Sequence, residues 1–324
     1  MPQPSCLPKR RGRRSVLTTL AGALAVTAVL AYVLADRRDE FGTALQAAPV
    51  WVLLVAAALQ LLALVARTEA WRICVAAAGG TVGRRCLYRA ASMGYVGSQL
   101  NSQIGTAARI GALRRASPGE CPRVPALIAA EVPILAIEGG LAALASFTLV
   151  GPLGLPWWLP LLLLAVAALI VAGLGNLAGR WREGFWSGLA VLRSAHGRSG
   201  IFGLVLVAVF AQIARNWLML HAVGVQASVF DATAVLIAMV TLSQLPVGPS
   251  VGAAAVVLIL GINGPALAAA AGVLLTATGT LGALAYAGWA AIDRAWTLLP
   301  ARRRSMRSAP HVHPSPDPEP AIGR

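Results

Sequence analysis

Charge is scarce in this chain, and one kind is nearly missing. Only 12% of its 324 residues are charged, and lysine occurs once, at Lys9. A soluble domain covers itself with about a quarter charged residues, so this composition excludes one. Cysteine is sparse and scattered (Cys6, Cys74, Cys86 and Cys121, with no CxxC pair), which argues against a disulfide framework. Strand-like alternation is missing, which excludes a membrane barrel. The GxxxxGK[ST], HExxH and DxD motifs are absent and no nucleophile–base pair is visible, so no catalytic residue is assigned and the chain is not read as an enzyme. His311 and His313 have no third ligand nearby, so no metal and no cofactor is expected.

What is there is apolar: 57% of the residues are hydrophobic. Runs of about 20 apolar residues mark an all-α polytopic membrane protein. The runs are 15–35, 49–66, 124–151, 157–178, 201–222 and 266–290, with two ambiguous segments, 86–115 and 232–262. The net charge of +15 is arginine lying in short loops beside the spans, where it sets orientation and draws anionic lipid; no basic module for nucleic acid exists.

Arginine placement decides the ambiguous segments. If each crossed once, Arg109, Arg114, Arg115 and Arg123, and also Arg180, Arg182, Arg193 and Arg198, would lie outside. If each enters and returns on one side, all become cytoplasmic, together with Arg84, Arg85 and Arg302–Arg304. The second arrangement gives about six spans plus two re-entrant hairpins, with both termini cytoplasmic in a bacterial-type cell membrane. Residues 1–14 form a basic N-terminus, 15–178 and 201–292 two membrane halves, 179–200 an amphipathic linker and 293–324 a disordered tail. The run 15–35 reads as a retained anchor. Trp51, Trp157, Trp158 and Trp217, with Trp71, Trp181, Trp289 and Trp296, read as an aromatic belt at the two interfaces.

The halves echo each other. Ser98-Gln99-Leu100 leads to Asn101 and Gly105; Ser243-Gln244-Leu245 leads to Pro246-Val247-Gly248-Pro249. At an offset of 140, Pro125-Ala126-Leu127 with Ala129-Ala130 matches Pro265-Ala266-Leu267 with Ala269-Ala270, and Gly139, Leu141, Ala143 and Leu144 match Gly279, Leu281, Ala283 and Leu284. Ala66-Arg67 with Trp71 resembles Ala214-Arg215 with Trp217. With the span directions reversed between halves, the repeat is inverted. Polar tips at bilayer depth survive where they line a cavity, and paired tips point to a midplane substrate site.

The candidate binding residues follow. Glu131 and Glu138, seven apart, share a helix face inside a span and read as a proton-coupling or headgroup pair, or as the balance for Arg109 or Arg215. Arg109, and more weakly Arg215 with Asn216, can hold a lipid phosphate through the bidentate guanidinium. Gln99, Asn101, Gln103 and Gln244 offer neutral hydrogen-bonding groups at the tips, while Pro246, Gly248 and Pro249 break the second segment and Gly105, Gly248 and Gly252 permit close backbone approach. Arg67, Glu69 and Arg72 read as a local network, His221 as lone, and Asp231 as the cap of an arm starting near Ala232.

These residues resemble the membrane region of the lysylphosphatidylglycerol synthase family, through Asn101-Ser102 with Gly105 and Arg109, Glu131 in the next span, Leu245-Pro246-Val247-Gly248-Pro249, and Ala271-Gly272-Val273-Leu274-Leu275. The similarity covers about residues 15–292. Two places depart from the family pattern: Ile104 and Thr106 stand where a proline and an acidic residue are usual, and no aminoacyl-transferase domain follows the last span. The resemblance implies a flippase-like protein that translocates or binds a polar or anionic lipid between leaflets, with membrane lipids as partners. A membrane-embedded lipid-modifying transferase and a non-transporting scaffold for envelope-lipid enzymes are the other two readings.

Overall fold

The structure is a computed structural model that describes residues 38–99, 102–180, 184–243, 251–261 and 264–307. The described residues form helices and turns, with no strand among them. Five helices are long and apolar enough to cross a bilayer: Val50–Ala77, Val124–Leu153, Trp158–Leu177, Ala195–Ala222 and Pro265–Thr297. They correspond to five of the six expected spans; 15–35 lies outside the described residues, as do Asn101, Gln244, Pro246, Gly248 and Pro249. The protein is an all-α, multi-pass membrane protein.

In chain order the helices are α1 (Arg38–Ala47), α2 (Val50–Ala77), α3 (Arg84–Ser98), α4 (Ser102–Ala116), α5 (Val124–Ala129), α6 (Val132–Ala145), α7 (Val150–Leu153), α8 (Trp158–Arg180), α9 (Ala195–Ala222), α10 (Val229–Leu242), α11 (Val251–Leu260) and α12 (Pro265–Arg307). α2 starts after Pro49 and runs eleven residues past the apolar run 49–66, because the charged side chains in its last turns find partners on neighbouring helices. The span 124–153 is broken near Glu131: Pro133 has no N–H to give Ala129 and its ring crowds that carbonyl. Ser228 caps α10, and Asp231, three residues in, closes a capping box; the cap is therefore Ser228 rather than Asp231.

Two departures concern segments assigned above to polar regions. Gly184–Arg193 forms a short 3₁₀ segment that packs on α5, with Leu189 and Val191 buried, and α9 already begins at Ala195 within the expected linker. α12 continues as helix to Arg307, well into the stretch assigned to the tail. Its extension is pinned by Arg89, which donates to the Asp293 carboxylate at 2.7 Å and its carbonyl at 3.0 Å and to Thr297 Oγ1 at 3.2 Å.

α2 and α9 lie side by side through small residues, Ala63 and Ala66 against Ala208 and Ala211, as membrane helices do when backbones approach closely. A larger hydrophobic cluster sits toward each end of this pair. One gathers Trp71, Cys74 and Val75 of α2 with Leu87 and Ala90 of α3, Ile110 and Leu113 of α4, and Ile201 and Val205 of α9. The other gathers Val52 and Ala56 of α2, Met219 and Leu220 of α9, Ala232 and Val235 of α10, Val256 of α11 and Leu275 of α12. From Val52 to Trp71 is about 28 Å along the helix axis at 1.5 Å per residue.

α3 and α4 are an antiparallel pair: Gly94 faces Gly105 and Arg109, whereas Gly97 faces Gly105 and Ile104. Gly105 lies so close to Gly94 and Ser98 that a side chain there would overlap backbone. The Thr81 N–H donates to the Glu120 carbonyl at 3.2 Å, tying the outer ends of the pair together. α10 and α11 also pack on each other, and α11 crosses α12 where Gly252 meets Gly272 backbone to backbone.

The aromatic belt is partly corrected. Trp51, Trp157, Trp158, Trp217, Trp289 and Trp296 are exposed, but Trp71 is fully buried within the cluster of α2, α3, α4 and α9, with the Arg109 guanidinium over its ring at 4.4 Å.

Candidate functional site

α2, α6, α9 and α12, with the end of α3 and with α10 and α11, line a cavity of about 630 Å³. α2 contributes Gln60 and Arg67, α6 Glu138 and Gly139, α9 Gln212 and Arg215, and α12 Thr276 and Gly279. Ser98 and Gln99 at the end of α3, Ser243 at the end of α10 and Gly252 on α11 reach the same space. Most of the remaining wall is aliphatic. Leu135, Leu144, Phe210 and Val240 line the cavity and are exposed, so much of its accessible wall is apolar. A concave, mainly apolar space with few converging polar groups is the usual form of a small-molecule site.

The polar floor is built around Gln60, whose Oε1 accepts from Gln212 Nε2 at 3.1 Å and from Arg215 Nη1. Gly282 leaves room for the Gln60 stem. Arg215 is 4% exposed, and its Nε has no hydrogen-bond partner. A charged side chain at a span centre costs roughly 2.5–3.5 kcal/mol to insert. Among the described residues no carboxylate offsets that cost for Arg215.

Beside it, Arg67 Nη2 donates to Glu138 Oε2 at 2.5 Å. The Arg67 side chain is 41% accessible although its helix is interior, because it faces the cavity. The expected local network is therefore split. Glu69 takes Arg72 at 2.5 Å, Arg84 Nε at 2.7 Å and the Tyr88 hydroxyl at 2.5 Å, while Arg67 turns to the cavity. Arg109 and Glu131 form a second, more deeply buried ion pair. Neither lines the cavity, so of the two carboxylates on one helix face only Glu138 reaches it.

Gln99 accepts from Thr280 Oγ1 at 3.0 Å, which anchors the first tip to α12. Asn216 points elsewhere: it is fully buried, and its amide donates to the Ala232 carbonyl at 3.5 Å, joining α9 to α10. His221 is exposed at the end of α9, beside Trp217 with ring centroids 4.4 Å apart and planes tilted by 47°. The residues that sequence reasoning missed are Gln60, Gln212 and Thr276. The first two are long amides inside otherwise aliphatic runs, a signal that was available in the sequence.

Compared with known proteins, the chain matches no family model, no curated protein and no solved structure.

Proposed function

We propose that the protein is a flippase-like membrane protein that moves or holds a polar lipid between leaflets, akin to the membrane region of the lysylphosphatidylglycerol synthases. The carrying observation is the cavity itself, with a polar floor, a mainly aliphatic wall and lining residues that include both Ser98 and Ser243. Such a space accommodates a headgroup while acyl chains stay in the bilayer.

The short helix pairs support a re-entrant arrangement. α3 and α4, 15 residues each, are about 22 Å long, and α10 and α11, with 14 and 10, are about 21 and 15 Å. All fall short of a hydrocarbon core of about 30 Å. The pairs pack against opposite ends of α2 and α9. Each is followed by a span with a proline in its first turn, Pro125 in Val124–Leu153 and Pro265 in Pro265–Thr297, in keeping with an inverted repeat. Arg114, Arg115, Arg123, Arg193 and Arg198 cluster with the first pair, whereas the described turns 146–157 and 223–228 hold no Arg or Lys. By the positive-inside bias the first end is cytoplasmic.

The test is lipid movement in vesicles reconstituted with the full chain, read by quenching of headgroup-labelled phospholipid. Gly139 lines the cavity with no atom within 4 Å of where a Cβ would stand, so Gly139→Trp is chosen to put bulk into the cavity. The wild type is expected to speed movement over protein-free vesicles, and the variant to slow it at least tenfold. Equal rates for the two proteins, or no gain over protein-free vesicles, would remove the transport reading. New lipid species in the same vesicles would favour the transferase reading instead.

A further inference from the structure

The interior charges of the two halves are not balanced alike. In the first half Arg67 has Glu138 and Arg109 has Glu131. In the second half Arg215 follows Ala214 as Arg67 follows Ala66, and it lines the same cavity. At the offset of 140 that aligns Gly139 with Gly279, Glu138 falls on Thr278. The Thr278 hydroxyl donates to carbonyls of its own helix, Leu274 at 2.8 Å and Leu275 at 3.2 Å. The place that holds a carboxylate in one half thus holds a neutral, internally bonded group in the other.

Among the described residues Arg215 has one neutral partner, the Gln60 amide oxygen, and its buried Nε has none. A buried cation without a counter-ion is unfavourable unless something supplies one. The first half shows that this interior accommodates carboxylates beside its arginines, so the neutral surroundings of Arg215 set it apart from Arg67 and Arg109.

We propose that Arg215 is the headgroup-recognising residue of this cavity and that its ligand is a phosphate-bearing lipid of net negative charge. The inference rests on the lipid-translocation reading above and narrows its substrate class. The guanidinium presents its fork to the phosphate oxygens. Gln60, whose oxygen already takes Arg215 and Gln212, has its amide nitrogen as a further donor. Glu138, the one carboxylate on the cavity wall among the described residues, is held by Arg67 and adds no net repulsion. Free phosphate offers the same chemistry. The exposed apolar lining of Leu135, Leu144, Phe210 and Val240 favours a ligand that brings its own hydrocarbon.

The experiment uses the full chain in nanodiscs and compares retention of phosphatidylglycerol with that of phosphatidylcholine, with inorganic phosphate and glycerol phosphate as soluble competitors. Gln60→Glu, nearly isosteric, gives Arg215 the missing carboxylate through a contact it already makes; Arg215→Gln removes the charge. The wild type is expected to prefer phosphatidylglycerol at least tenfold, and both variants to bring that ratio near one. Arg215→Lys is expected to keep part of it. Folding of each variant is checked by its melting temperature. An unchanged preference in folded Gln60→Glu and Arg215→Gln overturns the proposal. Binding of inorganic phosphate without any phosphatidylglycerol preference overturns the lipid assignment. Movement of both lipids in vesicles without preference sinks the anion site and leaves transport standing. A preference that depends on Arg215 without movement upholds the site and sinks transport.

Discussion

The two short helix pairs are held by different forces. The first is tied by charge and hydroxyl groups. Arg109 reaches Glu131 and Trp71, Arg89 reaches Asp293, and Tyr95 donates to the Leu64 carbonyl at 3.0 Å. The second is held mainly by close packing of small residues, with Ala232, Ala234, Val235, Ala255, Ala268 and Ala271 fully or almost fully buried and Gly252 against Gly272. The difference fits their surroundings. The first pair lies beside the arginine-rich end, where water and headgroups make polar side chains tolerable. The second lies at the end where the described turns hold no basic residue, and van der Waals contact, with the Asn216–Ala232 hydrogen bond, holds the helices together. It follows that the two pairs fail differently: one through an orphaned charge, the other through a lost close approach.

The largest effect is expected from Glu131→Ala, which leaves the Arg109 guanidinium buried without its partner. Breaking one side of a buried ion pair costs about 3–5 kcal/mol. Thermal unfolding in detergent reads it, and a melting curve like the wild type's would show that the pair contributes little. Next comes Gly272→Leu, whose side chain would overlap the Ala253 backbone and separate α12 from α11. Overpacking of this kind costs about 1–3 kcal/mol. Accessibility of a cysteine placed at Ala255 should rise with it; if burial there persists, packing is not what secures the second pair. The smallest effect is expected from Arg89→Ala. Its partner Asp293 is partly exposed, and such pairs are worth about 1 kcal/mol or less. Here the melting temperature should hardly move, while proteolysis within the C-terminal extension of α12 should quicken. A large drop in melting temperature would mean that the extension is integral to the first pair's fold.

The apolar runs announced five of the described helices to within a turn at most ends, because an insertion-competent helix needs length and apolarity and both are local properties. The ends that slipped were those of α2, α9 and α12, where charged or polar residues continue the helix. Such residues stop a hydropathy run, but they do not stop a helix whose side chains have partners. The site was legible in part. Arg109, Glu131, Glu138 and Arg215 stood out as charges inside apolar runs, and Arg109 was among the partners read for Glu131, but Arg67 for Glu138 and Gln60 for Arg215 were not. Arg67 looked like a neighbour of Glu69 and Arg72, and only the approach of α6 to α2 gives it Glu138.

Composition alone thus determined that this chain belongs in a bilayer and that its few interior charges need company, since the cost of inserting a charge depends on residue type and depth. Which charge found which partner was decided by tertiary structure. Pairing joins residues as far apart as Arg67 and Glu138, 71 positions along the chain, and Gln60 and Arg215, 155 positions. The contrast between a neutralised Arg67 and a solitary Arg215 arises from the packing of helices around one cavity, where distance through space sets the energy and distance along the sequence does not.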